Sequence, residues 1–597
     1  MKILCFAPND AVWRWTLPQA QFLETLRQRG DSIDYLYCDR TFATFCMAMA
    51  SSGVGVDAGR EAKEAICARC VNMSGLVREQ FGFSGHPVHR FLTDKEKNRA
   101  SDIAGCASIK EMTDYQFDGI PIGKFALYEA IIQTKSISMD FSPRAERLYR
   151  LLFENCVLTA YAVRRAIEEL TPNVGISYHT AYSYNRTFQH LAEARGCPVW
   201  FLNASFSAAE LDSHLVAARS DPELLFKRML SDWDRFKDVP SSSAQLHAAT
   251  DHLLSLMEGG GFAYSTAMKP RRKKAVEQLG CPAGKKVLLA ALSSYDELFA
   301  SDVSGFGWSV QSPVFADQID WVRWLFDFAR MRPDVHIVVR VHPREFPIRN
   351  VGPRSEHALM LEKVFAERPV NVSINLPSDG ISLYELLAGT DVVLIAWSSA
   401  GLEAGMLGIP VVTWFGNAML FPSSLTFEAK SRTEYGAMVE AALASPWLLE
   451  RARLFYRWAV MMLVRTRVDM TNGRAPSVRA LRAGRFVRRG FNYLRRRFTP
   501  WTDEQWSIMR RPKNLNDAPA IHALLDRQLP VFYDCETAKR APEEEETAGL
   551  KRELAAIAHA VRKTTGHRAD RLEAMLSIVK AESVGEAVKE GSMYVSR

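Results

Sequence analysis

VVLIAWSSAGLEAGMLGIPVV, residues 392–412, is the stretch on which the fold turns. It opens with a short apolar run of strand length, of the kind a parallel sheet buries on both faces. Ser398 and Ser399 then break the run and open a helix that carries Glu403, and Gly408–Ile409–Pro410 turns the chain into the next apolar strand. VRVHPRE, residues 339–345, has the same form, with the strand-like HIVVRV (336–341) running into His342–Pro343. In open α/β sheets ligands sit outside the carboxyl ends of the strands, and helix N-termini there favour phosphate. One such end offering a histidine and another a serine pair point to a site for a nucleotide phosphate.

Working outward, a βα series surrounds both segments: KVLLAALSS (286–294), HIVVRVHP (336–343), NVSINLP (371–377), VVLIAWSS (392–399) and PVVTWFGN (410–417), with helices expected over Ile319–Met331 and Ser382–Ala388. A second series precedes it. KILCFAP (2–8), a helix near Leu17–Arg29 stopped by Gly30, and IDYLYC (33–38) lead to a helix around Glu146–Leu170. VGISYH (174–179), a helix from about Arg186 to Arg195, and VWFLN (199–203) follow. Strands alternating with helices predict a mostly parallel sheet covered by helices. At 597 residues the chain is too long for one core. The expected fold class is therefore α/β, with two Rossmann-like domains facing a cleft and a mainly helical C-terminal extension. The expected boundaries are a first domain over 1–235, a helical connection over 236–283, a second domain over 284–470, and a basic-aromatic segment with a helical tail over 471–597.

The composition, 47% hydrophobic and 24% charged, is that of a globular protein. No apolar run approaches the roughly eighteen residues of a membrane helix; WAVMMLV (458–464) is ended by Arg465. Asp10 interrupts MKILCFAPND before it can serve as a secretory leader, which predicts a cytoplasmic protein. The net charge of +7 is local. Residues 474–513 carry eleven Arg and one Lys against Asp503 and Glu504, an excess of ten positive charges that leaves the remainder at −3. Aromatic residues interleave with these arginines, as in segments that meet anionic lipid. The alternatives are a solvated basic helix and an RNA-binding surface. No RNA-binding motif accompanies the charge, so no nucleic-acid partner is expected.

Each candidate site residue has a chemical reason and a plainer alternative. Ser398 and Ser399 can cap a helix and leave N–H groups for an anion, and they are equally suited to an ordinary βα turn. Glu403, one turn on and flanked by Leu402, Ala404 and Gly405, can accept from ribose hydroxyls. His342 can donate to a phosphate oxygen and, if protonated, offset leaving-group charge, while Pro343 fixes the exit direction. Ser293 and Ser294 end the first strand of the second series and either line the same cleft or cap the following turn. On the other wall Asp10, after the first strand, is placed to act as general base. His179, Asn185 and Arg186, after the strand at 174–179, could hold an acceptor, Arg186 an anionic one.

The combination of His342–Pro343, Ser398–Ser399 and a following glutamate resembles bacterial capsule polysaccharide transferases, a group similar to capsule Kdo transferases, bacterial GT-B sialyltransferases and CDP-glycerol polymerases. The resemblance covers mainly 286–417, including Gly401 and the Gly–x–Pro–Val turn. In the first half SYNRTFQHLAEARGCPVW (183–200) is similar to the Asn-and-Arg turn of capsule synthesis proteins. It implies a GT-B glycosyltransferase with His342, Ser398 and Ser399 at the donor phosphate and Glu403 at ribose. The implied donor is a CMP- or CDP-linked sugar, with UDP or GDP as alternatives, and the implied acceptor a surface glycan or lipid-linked glycan. The chemistry would require no metal, and the enzyme would sit peripherally at the inner membrane face. Two rivals remain: a nucleotide-sugar epimerase of the same architecture, and a non-catalytic assembly protein. The Glu pair spaced by eight that many GT-B enzymes carry is absent, since Ile395 stands eight before Glu403.

Cys38, Cys46, Cys67 and Cys70 have the spacing C-x7-C-x20-C-x2-C. Such a set fits a structural zinc or iron–sulfur site, or a group of free, partly buried thiols.

Overall fold

The computed structural model describes all residues except 260–274, 307–311, 313, 348–353, 417–419, 475–500, 536–539 and 566–597. Two sheets organise it. The first contains β1 (Lys2–Ala7), β2 (Ser32–Tyr37), β3 (Ser84–Pro87), β4 (Val174–Tyr178), β5 (Val199–Ala204) and β6 (His214–Arg219). The second contains β7 (Lys286–Ala291), β8 (Val335–Arg340), β9 (Val372–Asn375), β10 (Val392–Ile395), β11 (Val411–Thr413) and β12 (Phe427–Glu428). A last strand, β13 (Arg467–Asp469), joins the first sheet.

In the second sheet the order is β12-β11-β10-β7-β8-β9, parallel throughout, which is the doubly wound order of a Rossmann domain. The first sheet runs β13-β6-β5-β4-β1-β2-β3 and is parallel except for β6, which is antiparallel to both β5 and β13. Alternate side chains enter different cores. Leu4 and Phe6 pack on one side of the first sheet and Ile3, Cys5 and Ala7 on the other. Leu288 and Ala290 oppose Val287, Leu289 and Ala291 in the same way. Both sheets are thus covered on both faces, which is why their strands are continuous apolar runs.

The connection expected over 236–283 is part of the core. Its helix Ser243–Met257 buries Leu246, Ala249 and Leu253 against the helix Leu449–Val460 and the C-terminal helix Glu543–Thr565. Arg457 makes a bidentate pair there with Glu546 at 3.0 and 2.6 Å, both residues buried.

One boundary differs from expectation. The second domain does not run to 470. After the helix Leu449–Val460 and the π turn Met461–Arg465, the chain crosses back and pairs β13 antiparallel with β6, Val468 opposite Leu215. Helices Asp503–Arg510 and Ala518–Asp526 follow and dock on the helix Trp13–Gln28 and its end, where Arg511 pairs with Glu24 at 2.8 Å and Arg29 with Asp526 at 2.9 Å. Three-residue RVD carries no hydrophobic pattern, and its place is set by the β6 edge it covers. No described helix is long and apolar enough to cross a membrane.

The domains touch through the helix Ile122–Thr134 of the first and Tyr295–Ser304 of the second, with Ala300 in the first domain's core. Polar contacts reinforce this. Arg344 donates to Ile132 O at 3.1 Å, and Lys135 Nζ to Phe346 O at 2.7 Å.

Candidate functional site

A doubly wound sheet has a crevice where its connections change direction, between the first strand and the one beside it. In the second sheet that point lies between β7 and β10, and Ser293–Ser294 follow the one while Ser398–Ser399 follow the other. His342 follows β8, the neighbour of β7 on its other side. The three strand ends predicted from sequence therefore share one edge.

Ser399 is exposed and starts the helix Ala400–Met406 without a side-chain cap bond; Ser398 Oγ does the capping, accepting from Ala400 N at 3.3 Å. This helix has seven residues. It is less than two turns long, so the groups offered to a ligand are side chains and the Ser399 hydroxyl more than a long helix dipole. Gly401 is required by packing, because a Cβ there would stand 2.6 Å from Ile395 Cδ1 and 2.8 Å from Phe421 Cζ.

His342 is half-buried and opens the 3₁₀ turn Pro343–Glu345. Its Nδ1 accepts from Arg344 N at 3.2 Å, which leaves Nε2 to carry the proton. Burial, with the Arg344 charge second, lowers its pKa to about 4. At that pKa it is neutral at pH 7, which favours the N–H donor of its two expected roles over the protonated one.

Beneath the serines lies a buried group. Tyr384 Oη donates to Glu403 Oε2 at 2.8 Å. Burial raises the Glu403 pKa to about 7, against hydrogen bonds from Tyr384 and Ser399 and the Arg340 charge. Arg340, the last residue of β8, donates to Asn375 Oδ1 and to Ile381 O at 3.0 Å, and burial lowers its pKa to about 10. Arg340 and Tyr384 escaped the sequence reading, although a lone arginine inside HIVVRV was a usable signal. Ser293 and Ser294 are buried. The Ser293 backbone exchanges bonds with Gln318 at 2.8 and 3.0 Å, and Ser294 Oγ bonds Asp296, itself paired with Arg344. These serines hold the turn, the second of the two roles open to them.

The first sheet has its own switch point, between β1 and β4. Asp10 follows β1 and His179 follows β4, so both predicted residues lie there. Asp10 is turned inward and only 2% exposed. It accepts from Tyr35 Oη at 2.7 Å, and burial raises its pKa to about 7. His179 has φ +58°, in the left-handed region, and stacks on Tyr182 with ring centroids 4.4 Å apart. Burial lowers its pKa to about 4. Trp15, missed in the sequence, stacks on Tyr178 and Tyr182 at the same mouth, at 5.4 and 5.8 Å.

The Asn185 amide is committed on its nitrogen side, while its Oδ1 is buried without a partner among the described residues. Asn185 is buried, and its Nδ2 donates to Ser177 Oγ at 3.1 Å and Tyr178 O at 2.7 Å, tying its helix to β4. Arg186, next along, is buried among aromatic rings at the domain contact.

Cys38, Cys46, Cys67 and Cys70 do come together, lining one small cavity with Pro8, Arg40 and Phe42. The Cys70 thiol points to Pro8 O at 3.8 Å. Among the described residues, however, no three such side chains stand where they could hold an ion. Burial raises all four thiol pKa values, Cys46 to about 11. That is the state of free, buried thiols. Of the basic segment 474–513, residues 475–500 lie outside the described residues.

No family model matches the chain, and no curated protein matches it. Among solved structures it is similar to a UDP-N-acetylglucosamine 2-epimerase of Listeria monocytogenes, at 9% identity over 77% of this chain and 94% of that one, with a TM-score of 0.29. It is also similar to a β-Kdo 2,4-transferase, KpsC of Thermosulfurimonas dismutans, at 15% identity over 51% and 83%, TM-score 0.29. The glycosyltransferase SnogD of Streptomyces nogalater aligns at 14% identity over 78% and 95%, TM-score 0.24. Superpositions this loose bear on no residue of the site. The architecture, two Rossmann-like domains of the GT-B kind with a helical C-terminal extension, is carried by the strand orders themselves.

Proposed function

We propose that the protein is a GT-B glycosyltransferase that moves a sugar, or a polyol phosphate, from a nucleotide-activated donor to a surface polysaccharide or lipid-linked glycan. The observation that carries this reading is the shared edge at which the uncapped Ser399 hydroxyl, the neutral His342 and the buried Glu403 meet the switch point of the second sheet. The donor phosphate sits at Ser398, Ser399 and His342, with Glu403 toward ribose and a CMP or CDP donor ahead of UDP or GDP. Asp10 is the general base. At a pKa of about 7 it is near half-ionised at neutral pH, the optimum for a group that takes and returns a proton. Rate enhancement comes from positioning and from fixed donors at the leaving phosphate. Peripheral attachment to an anionic membrane runs through 474–513, whose described end exposes Trp501 and Met509.

The test is thermal stabilisation of the full chain by CMP, CDP, UDP and GDP, with His342→Ala and Ser399→Ala alongside. A nucleotide at a hundred times its Kd adds about 2.7 kcal/mol. A shift with one base, lost in both variants, supports the donor site; shifts unchanged in both variants remove it. Conversion of a nucleotide sugar with no acceptor present would favour an epimerase instead.

A further inference from the structure

Arg186 stands out among the buried arginines because of its missing partner. It is 6% exposed. Its guanidinium carbon lies 4.7 Å from the ring centre of Phe306 and 5.8 Å from those of Phe125 and Tyr128. No carboxylate and no hydrogen-bond acceptor meets the guanidinium among the described residues, and its Nε is buried and unpaired. Two other buried arginines are paired, Arg457 with Glu546 and Arg340 with Asn375 and Ile381 O. His179 and His190 nearby are lowered to about 4 by burial and bring no negative charge, and the carboxyls in the surroundings, Asp296, Glu297 and Asp221, make no ion pair with Arg186. Buried charges in proteins are paired or costly. Rings that cover the guanidinium faces leave its in-plane N–H fork free for a planar or tetrahedral oxyanion.

We propose that Arg186 anchors an oxyanion site at the first domain's switch point, taking a phosphate or carboxylate group of a ligand that enters between the two domains. Phe125 and Tyr128 belong to the first domain and Phe306 to the second, so the cage is completed only where the domains meet. Asn185 supports the site indirectly by fixing its helix to β4. If the glycosyl-transfer reading holds, the anion is a group of the acceptor, since the donor phosphate is taken by Ser399 and His342. The anion site itself does not depend on that reading.

The experiment is calorimetric titration of the full chain with inorganic pyrophosphate and, separately, malonate. It uses wild type, Arg186→Met, Arg186→Lys and Ser399→Ala, with melting temperatures of the ligand-free proteins. Arg186→Met is expected to weaken binding about tenfold or more, Arg186→Lys to give an intermediate loss, and Ser399→Ala to leave this component in place. Ligand-free Arg186→Met should melt at or above wild type, because it sheds an uncompensated buried charge. A preference for pyrophosphate marks a phosphate ligand and one for malonate a carboxylate; either supports the site. Arg186→Met with lowered melting temperature and unchanged anion affinity would overturn it, leaving Arg186 as a packing post between aromatic rings. So would anion binding lost only in Ser399→Ala. Nucleotide binding that fails while Arg186-dependent anion binding persists would remove the transfer reading alone.

Discussion

The two switch points have the same topology and opposite finishes. In the first domain the polar groups at the strand ends are spent inside the protein: Asp10 on Tyr35, Asn9 on Tyr184, Asn185 on Ser177 and Tyr178 O. In the second, Ser293 and Ser294 are spent in the same way, but Ser399 is exposed with no cap bond, its hydroxyl bonded to Glu403, and His342 is half-buried. A strand end in a doubly wound sheet is thus a location and not yet a site. Whether its polar side chain turns inward or outward decides between holding the turn and meeting a ligand. Both domains nevertheless keep a strand-end carboxyl raised to about 7 by burial, Asp10 in the first and Glu403 in the second, where Glu297 is raised as far.

The comparison is broken most sharply at Asp10. If that inward carboxyl is the general base, Asp10→Asn lowers kcat by about 10²–10⁴-fold with little change in nucleotide affinity; single-turnover rates measure this. Activity retained within threefold would make Asp10 a purely structural group like its neighbours.

The paired carboxyls give a pH dependence of stability. Their folded pKa values, about 7, lie above the ordinary carboxylate values of 3.8 and 4.5, so the folded state binds more protons between those limits. From these two groups stability is therefore expected to be greatest in mild acid and to be lost as pH rises through about 7, while His179, His190 and His342, lowered to about 4, act in the opposite sense between about 4 and 6.5. Urea midpoints of wild type against Asp10→Asn and Glu403→Gln across pH 4.5–8 measure it, each variant flattening part of the slope.

Asn185→Ala tests the inward finish. Loss of two buried hydrogen bonds is expected to cost about 1–3 kcal/mol without altering nucleotide binding. Ser399→Ala tests the outward one and should be the mildest in stability, within about 0.5 kcal/mol, while weakening nucleotide binding about tenfold. Exchange of those two outcomes would reverse the distinction between the domains.

Strands β1, β4, β5, β7, β8 and β10 were legible because burial on both faces writes them as unbroken apolar runs. SGHP in β3 and RVD in β13 were not, since an edge strand held by its neighbour needs no hydrophobic pattern of its own. The edge bearing His342, Ser398 and Ser399 followed from strand ends alone. Arg340 and Tyr384 did not stand out, because their importance arises from Glu403, brought near only by the fold. Asn185 was read as a ligand contact for the same reason in reverse: a polar residue at a strand end looks free until its partner across the turn is known. The four cysteines were correctly grouped in space by their spacing, but the sequence could not distinguish a shared cavity from a ligand sphere.

The return of the chain to the first sheet through Met461–Arg465 and β13 has a mechanical consequence. The chain crosses between the domains three times: after β6, through Met461–Arg465 to β13, and again from the helix Ala518–Asp526 to Glu543–Thr565. One core already runs across both, with Phe201 and Val216 of the first sheet in the same cluster as Leu289 and Val393 of the second, so the halves are expected to unfold together and not as separate bodies.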